Sequence, residues 1–180
     1  AAPERVALAG LSRGGYIAFE VLRQAPEQVE RVACLDTSAR PDTGEQAARR
    51  RGLIELAQKG NFKGVTPALL PLFLHPDRVD EMVLVNTISA MAEDVGKDGF
   101  LRQQAAIMGR PDSRPVLPNI DCPAVVVVGR QDALTPVDCA EEIAAGIPGA
   151  ELVVIEDCGH LTTLEEPEQT NAALRRWLAH

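Results

Sequence analysis

Aromatic side chains are scarce in this 180-residue chain, which has one Trp, one Tyr and four Phe. A binding site that stacks planar groups between several rings is therefore not expected. Histidine is scarcer still, at positions 75, 160 and 180 only, so chemistry that needs an imidazole has few places to go. The cysteines Cys34, Cys122, Cys139 and Cys158 stand singly, without a C-x-x-C pair or a histidine at ligand spacing. That pattern argues against a zinc or other metal site and reads as reduced, packed thiols of a cytoplasmic protein. No run of 18 apolar residues occurs, and no basic stretch followed by an apolar one opens the chain. Nothing is expected to span a membrane or direct secretion. Positive charge is also short, with 18 Lys and Arg against 26 Asp and Glu for a net charge of -8. The single basic block, Arg49-Arg50-Arg51, reads as a solvated helix face, so no nucleic-acid footprint is expected.

What the chain does have is alternation. Arg5 to Ala9 is a short apolar run ending at Gly10, the pattern of a strand buried on both faces. After Ser12-Arg-Gly-Gly, apolar residues recur at helical spacing until Pro26, and Arg31 to Leu35 is again strand-like. From Ser38 to about Pro118 the spacing predicts helices and no strand. Thr43 and Gln46 have capping-box spacing before a segment reaching Lys59, and further helical patterns cover Arg78 to Asp94 and Phe100 to Met108. Strand character returns at Ala124 to Val128 and Glu151 to Ile155, with a helix between them from about Asp138 to Ala145. A last helix is expected over Pro167 to Ala179. Consecutive strands joined by helices imply parallel pairing, in the order in which the strands occur.

Gly10-Leu-Ser12-Arg-Gly14 has the form G-x-S-x-G and falls between an expected strand and an expected helix. Such a turn lifts a serine hydroxyl out of the sheet and aims the backbone N–H of Arg13 at any oxyanion formed beside Ser12. A serine needs a base to become a nucleophile. His180 ends the sequence and His75 lies beside Pro76, where a surface or capping role fits. His160 instead follows a strand, at the edge where open α/β sheets place their sites. Asp132, just after the Ala124 strand, can orient that imidazole. Asp36, just after the Arg31 strand, is the alternative acid.

The order serine, acid, histidine, with each residue behind a strand, resembles the α/β-hydrolase superfamily. More narrowly it resembles small bacterial esterases of the pimeloyl carrier-protein methyl esterase and 3-oxoadipate enol-lactonase type. The likeness rests on GLSRGG at 10–15, DSRPVLPNIDCPAVVVVGRQDALTP at 112–136 and DCGHLTTLEEPEQTNAALRRWL at 157–178. It implies an α/β fold with a mostly parallel sheet and flanking helices, the C-terminal part of the hydrolase fold. Residues 1–37 and 119–180 would form the core and residues 38–118 a helical cap. Leu69, Leu70, Leu72, Phe73, Met82 and Leu84 would offer acyl-binding surface. The implied activity is hydrolysis of small carboxylic esters without a cofactor, for short or medium aliphatic acyl groups. Lactone hydrolysis comes next, ahead of carbon–carbon hydrolysis, perhydrolysis and a non-catalytic binding module.

Full members of that superfamily carry strands before the nucleophile strand and a loop that gives a second oxyanion N–H. Neither has a counterpart here, so only the Arg13 N–H is assigned. One missing donor typically costs about 2.7–4 kcal/mol of transition-state stabilisation. The Val6 strand is then left at a sheet edge, where an oligomer partner or a further segment is expected to cover it.

Overall fold

The structure is a computed structural model that describes residues 5–62 and 64–179; His180 lies outside the described residues. Strand β1 (Val6–Leu11) leads into helix α1 (Arg13–Gln24), and β2 (Val29–Leu35) follows. Helices α2 (Gly44–Leu56) and α3 (Met82–Met108), a π-helical turn (Ala57–Asn61) and short 3-10 segments fill the chain up to β3 (Ala124–Gly129). Then come α4 (Val137–Gly146), β4 (Glu151–Ile155), the one-turn α5 (Thr162–Glu165) and α6 (Pro167–Ala179). Among the described residues the strands form one parallel sheet in the order β1-β2-β3-β4, as their sequence order predicts.

The alternation of side chains along each strand builds two apolar layers. Val32 and Cys34 of β2 with Val126 and Val128 of β3 meet Ala18, Phe19 and Leu22 of α1 and Ala140 and Ile143 of α4. Ala33, Leu35, Val125 and Val127 point the other way and meet Ala173 and Trp177 of α6. All six residues of β3 are buried, which accounts for the unbroken AVVVV run. By contrast β1 lies at the edge, with Arg5, Val6, Ala7 and Ala9 exposed.

Several boundaries differ from the sequence reading. β1 runs two residues past Ala9 and α1 begins at Arg13, so the turn expected over four residues is compressed onto Ser12 alone. α3 starts at Met82 rather than Arg78, because Pro76–Arg78 forms a 3-10 turn. Its single break is at Gly96, whose φ of 62 leaves the helical region. The capping box is reciprocal as expected: the Gln46 N–H donates to Thr43 Oγ1 (3.2 Å), and the Thr43 N–H donates to Gln46 Oε1 (2.9 Å).

The arginine block requires a correction. Arg49 and Arg51 are exposed, but Arg50 turns inward, its Nε donating to Asp42 Oδ2 (2.7 Å) and its Nη1 to Gln104 Oε1 (3.0 Å). Asp42 also takes Arg110 Nη1 on its other oxygen (2.8 Å), and the Arg110 guanidinium lies 4.3 Å from the Tyr16 ring centroid. The two ends of the helical segment are thereby tied to each other and to α1. The Asp42 side chain is 3% exposed and that of Arg110 10%. Removing one member of a buried pair strands the other charge, which costs more than the pair itself contributes. Asp42→Ala should lower unfolding free energy by about 3 kcal/mol, read as a lower urea midpoint at unchanged slope.

Candidate active site

Three loops at the carboxyl ends of β1, β3 and β4 bring the side chains of Ser12, Asp132 and His160 into one chain of hydrogen bonds. Ser12 sits alone between strand and helix at φ 52 and ψ -115, a left-handed φ that costs energy for any residue with a Cβ. Its backbone is fully engaged. The N–H donates to the Leu35 carbonyl (2.8 Å), while its own carbonyl accepts the Gly15 N–H (3.0 Å) and the Thr37 hydroxyl (2.7 Å). A serine in this position ordinarily spends its hydroxyl on capping the helix. Here it makes no cap bond, and Oγ stands 2.9 Å from His160 Nε2 instead.

The turn is this tight because of two glycines. A Cβ on Gly10 would stand 2.3 Å from the Gly14 carbonyl oxygen, and one on Gly15 would stand 2.4 Å from Thr37 Oγ1. At Gly14, the last glycine of the motif, no described atom lies within 4 Å of such a Cβ. The steric demand therefore falls on Gly10 and on Gly15, which is outside the five-residue pattern.

His160 is 2% exposed, and its Nδ1 lies 2.8 Å from Asp132 Oδ2. Asp132 is held from the other side as well: Oδ1 accepts the N–H groups of Leu134 (2.8 Å) and Thr135 (2.9 Å), and Oδ2 accepts the Thr135 hydroxyl (2.7 Å). The backbone of the turn thus uses Oδ1, while the Thr135 hydroxyl and the ring nitrogen share Oδ2. With Asp132 ionised, Nδ1–H donates to it, and the Nε2 lone pair is left facing the Ser12 hydroxyl.

Asp36, the other candidate acid, is fully buried but faces elsewhere. Its Oδ1 accepts the Gly129 N–H (3.1 Å), and its Oδ2 accepts the Thr162 hydroxyl (2.6 Å) and N–H (3.2 Å). It ties β3 and the His160 loop to the end of β2. Burial pushes its carboxyl up to about 7, against the opposing hydrogen bond from Thr162. Cys158, next to the histidine loop, is buried and its thiol is pushed up by desolvation, as packing predicts.

Arg13 begins α1, so its N–H has no acceptor one turn earlier in the helix. His75 caps its own 3-10 turn, with Nδ1 accepting the Asp77 N–H (3.2 Å), as expected of it. Of the apolar residues expected to line an acyl site, Phe73 stands beside the histidine, with ring centroids 6.3 Å apart. Leu70 and Leu84 are buried within the helical segment, and Met82 points outward at 65% exposure. A groove of about 840 Å³ runs from Arg13 between α1 and the second half of α3, and neither Ser12 nor His160 lines it. Among the described residues, no group of three or more His, Cys, Asp or Glu side chains is placed to hold a metal ion, and no helix is long and apolar enough to cross a membrane. Thr37, Thr135, Thr162 and Glu165, all buried polar residues around the site, were not singled out by the sequence. Thr37 and Thr162 bond to Ser12 and Asp36, which are distant along the chain, and Glu165 reaches both nearby Gly159 and distant His75, while Thr135 bonds Asp132 three residues before it.

Known proteins show the same arrangement of chain. A model of the Alpha/beta hydrolase family matches residues 1–173. A pimeloyl-[acyl-carrier protein] methyl ester esterase of Aliivibrio salmonicida is 26% identical over 197 residues, covering 98% of this chain and 70% of the relative. A thermophilic esterase from Thermogutta terrifontis superposes with a TM-score of 0.90 at 32% identity, over 98% of this chain and 65% of that one. The enol-lactonase from Burkholderia xenovorans LB400 gives 0.87 at 26% identity, over 98% and 66%. The chain spans between 45% and 70% of the length of the first several curated relatives it matches.

Two outcomes follow from this geometry. Gly10→Ala should prevent stable folding or cost several kcal/mol, about the scale of overpacking against backbone, while Gly14→Ala should leave the unfolding free energy from urea titration within about 1 kcal/mol of wild type. The second outcome concerns Asp36. Its raised value means that the folded protein keeps a proton that the unfolded chain releases near pH 4. The stability from that proton is fully present below about pH 4 and is lost as pH rises through about 7. Asp36→Asn should flatten the decline of Tm across that interval, measured by thermal unfolding at stepped pH.

Proposed function

We propose, from the premise that the chain belongs to the alpha/beta hydrolase family, that it is a serine hydrolase of small carboxylic esters acting through Ser12, His160 and Asp132. The observation that carries this reading is the Ser12 hydroxyl, which leaves its helix uncapped and lies 2.9 Å from His160 Nε2. An esterase at 32% identity with a TM-score of 0.90 supports the substrate class.

In this mechanism Ser12 Oγ attacks the acyl carbonyl as His160 Nε2 takes the hydroxyl proton, and Asp132 stabilises the resulting imidazolium. The carbonyl oxygen becomes an oxyanion beside the Arg13 N–H. Collapse breaks the bond to the leaving oxygen, which receives the proton from Nε2, and Ser12 is left acylated. Water then gives its proton to Nε2 and attacks the acyl carbon. The acid departs and the proton returns to Ser12 Oγ. Phe73 beside the buried imidazole supplies apolar surface for a short or medium aliphatic acyl group.

The second reading is lactone hydrolysis, favoured by the superposition on an enol-lactonase. The chemistry is the same, except that the leaving oxygen remains tethered to the acyl group. An active-site phosphonate should label Ser12, identified by mass spectrometry, and Ser12→Ala should abolish labelling. On p-nitrophenyl esters of increasing chain length, His160→Ala and Asp132→Asn should each lower kcat by about 10³–10⁴, with Asp36→Asn within tenfold of wild type. Folded protein that resists labelling would point to a binding module. Activity lost only in Asp36→Asn would reassign the acid.

A further inference from the structure

The loop that carries His160 is bonded to the helical segment between β2 and β3 as closely as to the sheet. Gly159 comes so near residues 74 and 75 that a Cβ on it would stand 2.5 Å from the Leu74 carbonyl carbon and 2.6 Å from the His75 nitrogen. The His160 N–H donates to the Phe73 carbonyl (3.0 Å). Leu161 and Leu164 pack into the apolar cluster of Leu70, Leu74, Leu84 and Ile88, which belongs to the helical segment.

At the centre of this junction is Glu165, an acid that is 3% exposed and has no part in the proton path. Its Oε1 accepts the Gly159 N–H (2.9 Å) and its Oε2 accepts the His75 N–H (2.6 Å). Burial raises its proton affinity, while these N–H donors and nearby Arg78 favour the carboxylate. Arg78 itself reaches the Glu165 carbonyl and the Glu166 carboxylate, not the Glu165 side chain. A buried acid costs stability unless its oxygens are used, and here each oxygen holds a different loop. One loop carries the general base, and the other carries Phe73, whose ring stands beside it.

We propose that Glu165 is a positioning residue that sets the register between His160 and Phe73, so that the base and the apolar wall of the acyl site move as one unit. The proposal rests on the serine hydrolase reading above for its effect on rate, and on geometry alone for its effect on the two loops. Glutamine cannot replace this carboxylate: it has one carbonyl oxygen, so its NH₂ must face one of the two N–H donors. A displacement of about 1 Å at a catalytic base costs on the order of 10²-fold in rate.

The test compares Glu165→Gln with Arg78→Ala, which weakens the same junction without touching either N–H bond. Active enzyme is counted by phosphonate titration, and kcat and KM for a short p-nitrophenyl ester are expressed per titrated site. Glu165→Gln should lower kcat per site by about 10–100-fold with KM within threefold, whereas Arg78→Ala should lower Tm and leave kcat per site unchanged. A merely structural Glu165 would reduce the amount of titratable enzyme but not kcat per site, and that result overturns the proposal, as does an equal loss of kcat in both variants. The independent readout is nuclear Overhauser contact between the Phe73 and His160 rings, present in wild type and Arg78→Ala and lost in Glu165→Gln. If wild type is not labelled at Ser12, the hydrolase reading fails, and the ring contact still decides the positional claim: its persistence in Glu165→Gln overturns it.

Discussion

Everything at this site depends on the register of the sheet. Leu11, Leu35, Val127 and Val153 stand in one row across the strands, which places Ser12 and Asp36 one step beyond that row. Strands β3 and β4 run two residues further, to Gly129 and Ile155, before releasing the loops of Asp132 and His160. A slip of one residue moves a strand by about 3.3 Å and turns its apolar residues to the opposite layer. Either change would separate groups that meet at 2.8–2.9 Å. The apolar packing of both sheet faces therefore fixes the hydrogen bonds of the site, although the apolar side chains themselves make none of them. The two longer loops are joined further by the Arg130 N–H to the Ile155 carbonyl, by the Gln131 N–H to the Cys158 carbonyl, and by the Cys158 N–H to Gln131 Oε1.

Backbone strain collects at the same edge. Among the described residues, the non-glycine positions with positive φ are Ser12, Asp36 and Asp157, each just past the end of a strand. Aspartate tolerates this conformation better than most residues, but Ser12 does not share that advantage. Its strain is offset by two bonds to its carbonyl and one from its N–H, and by the close packing that glycine permits at positions 10 and 15. What the strain accomplishes is orientation. A relaxed serine would cap α1 with its hydroxyl, and the bond to His160 would be lost.

The sheet, its strand order and the meeting of Ser12, Asp132 and His160 at one sheet edge were legible in the sequence because each is marked locally. Apolar runs closed by glycine signal the strands, and Ser12, Asp132 and His160 follow those runs at once. The compressed turn was not legible, because whether Arg13 continues a turn or begins a helix depends on how near Gly10 lies to Gly14. Arg50 looked like surface since its partners Asp42 and Gln104 are distant along the chain or unremarkable in type. Thr162 and Glu165 were hidden for the same reason. A lone threonine or glutamate after a histidine has no periodicity, and its meaning appears only when Asp36 or His75 arrives from another part of the chain.

The choice between the two acids shows what local pattern lacks. Asp36 and Asp132 both follow parallel strands, both are buried, and each accepts three bonds from N–H or hydroxyl donors. They differ in what completes the shell. Asp132 has in addition the ring nitrogen Nδ1 of His160 at 2.8 Å. Asp36 faces only neutral donors, and desolvation dominates, leaving its carboxyl near 7. A single negative charge next to the imidazole stabilises the cation, whereas a second one buried nearby would add repulsion between the acids at close range. Desolvation favours the neutral form of Asp36, so below about pH 7 that second charge is largely absent beside the His160 loop.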